Sequence, residues 1–134
     1  AMATAAANLA PNGVLIFDCW YGPGVLTDPP VTRVRRLSGD GVEITRIAEP
    51  QHFPNENRVD VHYEVSVEGP AGAERIRETH PMRYLFVPEI DLLLESVGLY
   101  RLDEQEWLSG DVPTASTWNI CIVAGQSQSK DDIC

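Results

Sequence analysis

Basic residues are scarce: ten Lys and Arg stand against twenty Asp and Glu, a formal charge of −10. That balance repels nucleic-acid phosphates and anionic membrane surfaces unless the few bases cluster, so neither partner is expected. Cysteine is scarce as well. Cys19, Cys121 and Cys134 are odd in number and far apart, with no Cys-x-x-Cys pair. The pattern argues against a zinc ligand set and a disulfide framework; no metal is expected, and the compartment reads as reducing. No apolar run approaches the roughly 20 residues that cross a bilayer. The opening AMATAAANLA lacks the basic head of a signal peptide, so a cytoplasmic protein is expected. A glycine-rich turn between a strand and a helix is also missing. Gly22 to Gly24, Gly39 to Gly41 and Gly69 to Gly72 read as hairpin and loop glycines, which cannot cradle a carboxylate or phosphate at a helix N-terminus.

What is present suffices for a core: 134 residues at 43% apolar composition have the size of one ordinary domain. AMATAAANLA has strong helix propensity, and Asn12-Gly13 supplies a left-handed turn to end it. VLIFD follows, apolar from Val14 through Phe17. Consecutive apolar residues need cover on both faces, as in an interior strand of a mostly parallel sheet between helices. YGPGVLTDPP reads as a Gly/Pro loop. From Val31 to Phe86 the pattern is an antiparallel meander: VTRVRRL, VEITRIAE, RVDVHYEVSVE and AERIRETH are separated by SGDG, PQHFPNEN and GPAG, all turn compositions. In the third strand Val59, Val61, Tyr63, Val65 and Val67 alternate with Asp60, His62, Glu64 and Ser66, giving one buried and one wet face. MRYLF extends this sheet. In VPEIDLLLESVGL, Pro88 stands where a first helical residue belongs and Gly98 where the helix stops, with Ile90, Leu93, Leu94 and Val97 as its apolar stripe. LYRLDEQEWL and TWNICIVAG read as two closing strands, and QSQSKDDIC as a frayed tail.

This order of helix, turn, VLIFD strand, antiparallel excursion, PEIDLLLESVGL helix and closing strands resembles the C-terminal half of class I S-adenosylmethionine-dependent methyltransferases. LAPNGVLIFD is similar to the family's L-x-P-G-G-x-L segment, which leads into the fifth strand of a seven-stranded sheet. VPEIDLLLESVGLYRL resembles its PEEL…LLEEAGF helix and the strands that follow. The meander is similar to the extra sheet of small-molecule N- and O-methyltransferases, including those acting on amino sugars. The resemblance spans about residues 1–124 and implies a partial Rossmann-like α/β fold. It places a helix, strand and loop of the core over 1–29, an antiparallel sheet insertion over 30–86, the closing helix and strands over 87–124, and a flexible tail over 125–134. In the intact family the glycine-rich turn and acidic residue that hold S-adenosylmethionine precede the point where this chain starts. The resemblance therefore implies a substrate-side portion for a small-molecule acceptor, inactive and without cofactor by itself, its partner being the missing N-terminal half or a second copy.

In open α/β sheets ligands bind beyond the carboxyl ends of the strands, where Asp18, Trp20 and Tyr21 are expected. By the resemblance this loop lines the acceptor pocket, an aromatic wall and a carboxylate holding an amine or hydroxyl; the plainer alternative is a loop cap with aromatics covering the core edge. His80, at the end of the meander, can serve as a general base, or simply hydrogen-bond backbone before Pro81. Arg83 and Tyr84 can contact an acidic group on substrate, against the ordinary alternative of a surface ion pair. His62 and His52 are expected to be inert. Arg33, Arg35, Arg36, Arg75 and Arg77 are expected to pair across strands with Glu43, Glu74 and Glu78. Cys19 lacks an adjacent His and is a poor nucleophile, while Cys121 should fill the core.

Two readings without catalysis stay open: an association module, whose half-exposed meander drives dimerisation or caps a partner's pocket, and a standalone mixed α/β binding domain.

Overall fold

The computed structural model describes residues 1–126. In chain order the elements are α1 (Met2–Asn8), β1 (Val14–Tyr21), α2 (Gly22–Thr27), β2 (Arg33–Gly39), β3 (Val42–Phe53), a 3-10 turn (Pro54–Glu56), β4 (Arg58–Gly69), β5 (Gly72–Leu85), α3 (Val87–Glu95), β6 (Tyr100–Glu106) and β7 (Asn119–Gly125). The chain falls into two compact units, one formed by Ala1–Asp28 with the chain from Leu85 onward, the other by Pro29–Tyr84. The mixed α/β architecture agrees with the expected fold class. Of the expected tail over 125–134, only Gly125 and Gln126 lie within the described residues.

In the first unit β7 is the middle strand, paired antiparallel with β1 on one side and β6 on the other. Asn12, at φ 60°, makes the expected left-handed turn into β1. Strand periodicity then splits the apolar run. Leu15, Phe17 and Cys19 turn toward the core of Ile90, Leu94, Leu99, Ile120, Ile122 and Ala124, which α1 covers through Met2 and Ala6 and α3 through Ile90 and Leu94. Val14 and Ile16 turn the other way and are 53% and 61% exposed. Within this chain, then, only one face of β1 is covered, and its pairing with β7 is antiparallel, where a mostly parallel sheet was expected. α1 and α3 both pack on one side, which leaves the other face wet.

α3 begins as the sequence predicts, with Pro88 in its first turn, and Gly98 at φ +73° ends the segment, the Gly98 amide donating to the Glu95 carbonyl at 3.0 Å. The segment read as a Gly/Pro loop is instead the short helix α2, so Gly22 to Gly24 do stand at a strand-to-helix turn.

The second unit is an antiparallel meander in the order β2, β3, β4, β5. Asp40 and Gly41, both at positive φ, close the first hairpin. β3 outruns the sequence reading, passing through Pro50 to Phe53, while β5 joins AERIRETH and MRYLF through Pro81 into one strand that ends at Leu85. The Val face of β4 is not uniformly buried. Val59 and Val61 are 0% and 6% exposed, while β2 is exposed along its whole length.

Among the described residues no helix is long and apolar enough to cross a membrane, and no group of His, Cys, Asp and Glu is placed to hold a metal ion.

Candidate functional site

β1 continues to Tyr21, so Asp18, Trp20 and Tyr21 form the last turn of the pleat rather than a loop. Alternation puts Asp18 and Trp20 on the open face and sends Tyr21 toward the helices, where it packs against the core. Asp18 is exposed and lies directly opposite Cys121 of β7. Cys121 is therefore half-buried on the open face, not a core filler. Trp20 meets Trp118 edge-on, centroids 5.4 Å apart, and the Tyr21 amide donates to the Trp118 carbonyl at 2.8 Å. The result is a rigid aromatic corner beside one carboxylate. Burial, reinforced by the Asp18 charge, pushes the Cys19 thiol up to about 11, as expected of an unreactive cysteine.

His80, Arg83 and Tyr84 belong to the second unit. Register with β4 sets His80 beside Val61 and Met82 beside Val59, so the even-numbered residues of β5 share the Val face. His80 is half-exposed; its Nε2 lies 3.0 Å from Glu78 Oε2, and its ring meets Tyr63 edge-on at 5.1 Å. Tyr84 is fully buried. Its hydroxyl bonds His52 Nε2 at 3.1 Å and donates to the Pro54 carbonyl at 3.5 Å, while its amide donates to the Asn57 carbonyl at 2.9 Å. Burial raises the Tyr84 phenol above its ordinary value. Arg83 is exposed and sits opposite Arg58, whose guanidinium pairs with Glu56 and Asp60 and stacks over Phe53 at 4.5 Å.

His52 escaped the sequence reading because Pro50 and Pro54 bracket it and suggest a loop; on β3 it faces Val59, next to Tyr84. The basic residues of the meander also pair differently from expectation. Arg77 donates to Glu64 at 2.8 Å and Arg75 approaches the same carboxylate at 3.5 Å, because Arg77 lies directly opposite Glu64 while Glu74 and Glu78 share its own strand. Hydrogen bonding from Arg77, with the charge of Arg75, holds the Glu64 carboxyl below the usual range.

Whether the glycines of α2 could cradle a cofactor is decided by space. A Cβ at Gly22 would fall 2.5 Å from the Phe86 ring, and one at Gly24 2.0 Å from the Thr117 carbonyl oxygen. Protein fills both positions, so these glycines serve close packing and form no cradle for a ligand.

No family model and no curated protein matches the sequence. Solved structures do match. An S-adenosylmethionine-dependent methyltransferase from Clostridium acetobutylicum is similar at a TM-score of 0.76 and 20% identity, over 95% of this chain and 50% of that one. The sugar N-methyltransferase KedS8 from Streptoalloteichus gives 0.70 and 15% over 91% of this chain and 46% of that one. CalS10 from Micromonospora echinaspora, an amino pentose methyltransferase of calicheamicin biosynthesis, gives 0.63 and 17% over 91% and 48%. The chain thus spans about half the length of the proteins it matches. Its fold is that of about half of a small-molecule methyltransferase of the S-adenosylmethionine-dependent kind.

Proposed function

We propose that this chain is the substrate-side portion of an S-adenosylmethionine-dependent methyltransferase acting on a small molecule, inactive until a cofactor-binding half completes it. The observation that carries the reading is the match of nearly the whole chain to half of several such enzymes, two of which are described as acting on a sugar or an amino pentose. S-adenosylmethionine would supply an electrophilic methyl group; the packed glycines of α2 leave its site to the complementing half.

The residues of this chain can bind and orient the acceptor. Asp18 offers an exposed carboxylate to an amine or hydroxyl, and Trp20, braced by Trp118, offers an apolar wall to the ring that carries it. In the second unit, His80, held by Glu78 and Tyr63, is the candidate general base, and Arg83 the candidate contact for an acidic group. Tyr84 is fully buried, its hydroxyl bonded to His52, so it holds that ring in place rather than meeting substrate. For such a transfer, placing the nucleophile matters more than a strong base.

Titration calorimetry tests the reading. The chain alone should give no heat with S-adenosylmethionine, and the chain with its complementing half should bind it; micromolar binding by the chain alone would sink the proposal. A second reading, an association module, is favoured by one feature of the meander: Leu37 and Ile76 are 62% and 41% exposed on its Val face.

A further inference from the structure

β2 is the outer strand of the meander, paired with β3 alone, and every one of its residues is exposed. Eight of the ten Lys and Arg but only nine of the twenty Asp and Glu lie in Pro29–Tyr84, so this unit is close to neutral in an acidic chain. From Pro29 to Gly39 there is no acidic residue, yet there are three arginines, Arg33, Arg35 and Arg36. Register sets Arg35 directly opposite Arg46 of β3, an exposed residue whose guanidinium stands 5.4 Å over the Tyr63 ring. Like charges directly opposite one another cost a sheet stability. The expected cross-strand carboxylates do not answer them: among the described residues none forms an ion pair with Arg33, Arg35, Arg36 or Arg46. We propose that β2 is a docking edge for an acidic, extended polypeptide of another protein, which adds to the meander as one more antiparallel strand.

Two features of β2 select a strand over a compact anion. Alternation sends Arg33 and Arg35 to the Val face and Arg36 to the opposite one, so positive charge borders the edge on both sides, which a small ion on one face cannot meet. The backbone between them is open. Gly39 and Val42 flank the two-residue Asp40-Gly41 turn as a hydrogen-bonded pair, so Leu37, Arg35 and Arg33 bond to β3, while Val34, Arg36 and Ser38 direct their amides and carbonyls away from it. An added antiparallel strand pairs with those groups and meets Leu37, Arg36, Arg35, Val34 and Arg33 in turn. Val34 and Leu37 are 49% and 62% exposed. Read from its N-terminus, the matching strand is therefore apolar, acidic, acidic, apolar, acidic. A second copy is a poor occupant. Full-length antiparallel pairing of β2 with itself sets Arg36 against Arg36, the repulsion by which charged edge strands keep identical edges apart.

Fluorescence anisotropy tests the proposal with the full chain and a labelled peptide, Thr-Val-Glu-Glu-Val-Glu-Thr. This peptide should bind, more weakly as ionic strength rises, and the reordered Thr-Glu-Glu-Glu-Val-Val-Thr should bind about tenfold less tightly or worse. Arg35→Glu and Arg46→Glu should each weaken the first peptide by about tenfold or more. Two further peptides of the first sequence, N-methylated on alternate residues in either phase, leave the protein and every charge untouched. The phase that blocks the amides facing β2 should bind about tenfold more weakly than the other, because only an edge-on strand needs those amides. Equal affinity of the ordered and reordered peptides overturns the proposal, as does equal affinity of the two methylated phases or unchanged affinity in Arg35→Glu. Inorganic diphosphate that displaces the labelled peptide at lower concentration than unlabelled peptide does would also overturn it and assign the arginines to a small anion. Tighter binding of a single-stranded oligonucleotide would do the same in favour of nucleic acid.

Discussion

Gly24 lies so close to Thr117 that a single methyl group in its place would sit 2.0 Å from the Thr117 carbonyl oxygen. The Thr117 turn cannot yield easily: its hydroxyl donates to Glu106 at 2.8 Å and accepts from the Thr114 amide at 2.9 Å. Gly24→Ala should therefore cost about 2–3 kcal/mol, as overpacking does. The urea midpoint checks it, with Gly39→Ala, where a Cβ meets nothing within 4 Å, expected to shift stability by no more than about 0.5 kcal/mol.

Arg101 ties β6 to α3 with a two-pronged bond, Nε to Asp91 Oδ1 at 2.7 Å and Nη2 to Oδ2 at 3.0 Å, while Nη1 reaches Glu104 at 2.8 Å. Both side chains are partly exposed, so a double-mutant cycle of Arg101→Ala and Asp91→Asn should give a coupling of about 0.5–1 kcal/mol. Arg101→Lys should lose most of it, because an ammonium cannot match both oxygens.

The same pair makes stability depend on acidity with a definite sign. The hydrogen bonds from Arg101, together with its charge, hold the Asp91 carboxyl below its ordinary value. A carboxyl depressed on folding stabilises above its unfolded pKa, near 3.9, and loses that contribution as pH falls through the lower folded value. Asp91→Asn should thus be less stable than the parent at pH 7, and the gap should close as the pH is lowered below about 4. A gap that stays constant from pH 7 to pH 2 would contradict the assignment.

Cys19 should alkylate slowly. With its pKa at about 11, only about one thiol in a thousand is ionised at pH 8. Asp18 is the second cause of that shift, after burial, so Asp18→Asn should lower the pKa and speed iodoacetamide labelling of Cys19 at fixed pH. Peptide-resolved mass spectrometry follows the rate.

Tyr84→Phe removes a buried hydroxyl shared with His52 and Pro54, and should cost about 1 kcal/mol by loss of that bond. Stability should fall by a similar amount in His52→Ala, and the two changes should not add, which the chemical-denaturation midpoints of the single and double variants will show.

Local signals were legible where neighbours in sequence decide the outcome. Asn12-Gly13, Pro88 with Gly98, and the alternation from Val59 to Val67 each marked an element, since turn, cap and pleat chemistry act over a few residues. Gly22 to Gly24 misled because what makes them glycine is Phe86 and Thr117, remote in the chain. Asp18 and Trp20 stood out as a carboxylate beside an aromatic, but not the bracing of Trp20 by Trp118, which depends on how β7 pairs with β1. The partner of Arg77 was recoverable: counting back from the Pro70-Ala71 turn, with Gly69 opposite Gly72, sets Glu64 across from it. Pro50 and Pro54 hid the end of β3 and with it the placement of His52.

The wet face of β1 has a thermal consequence. Val14 and Ile16 are already hydrated in the folded chain, so melting it wets less new hydrocarbon than melting a sheet enclosed on both sides. Its heat-capacity step should fall short of the usual 12–15 cal/mol/K per residue or thereabouts, flattening the dome of stability against temperature.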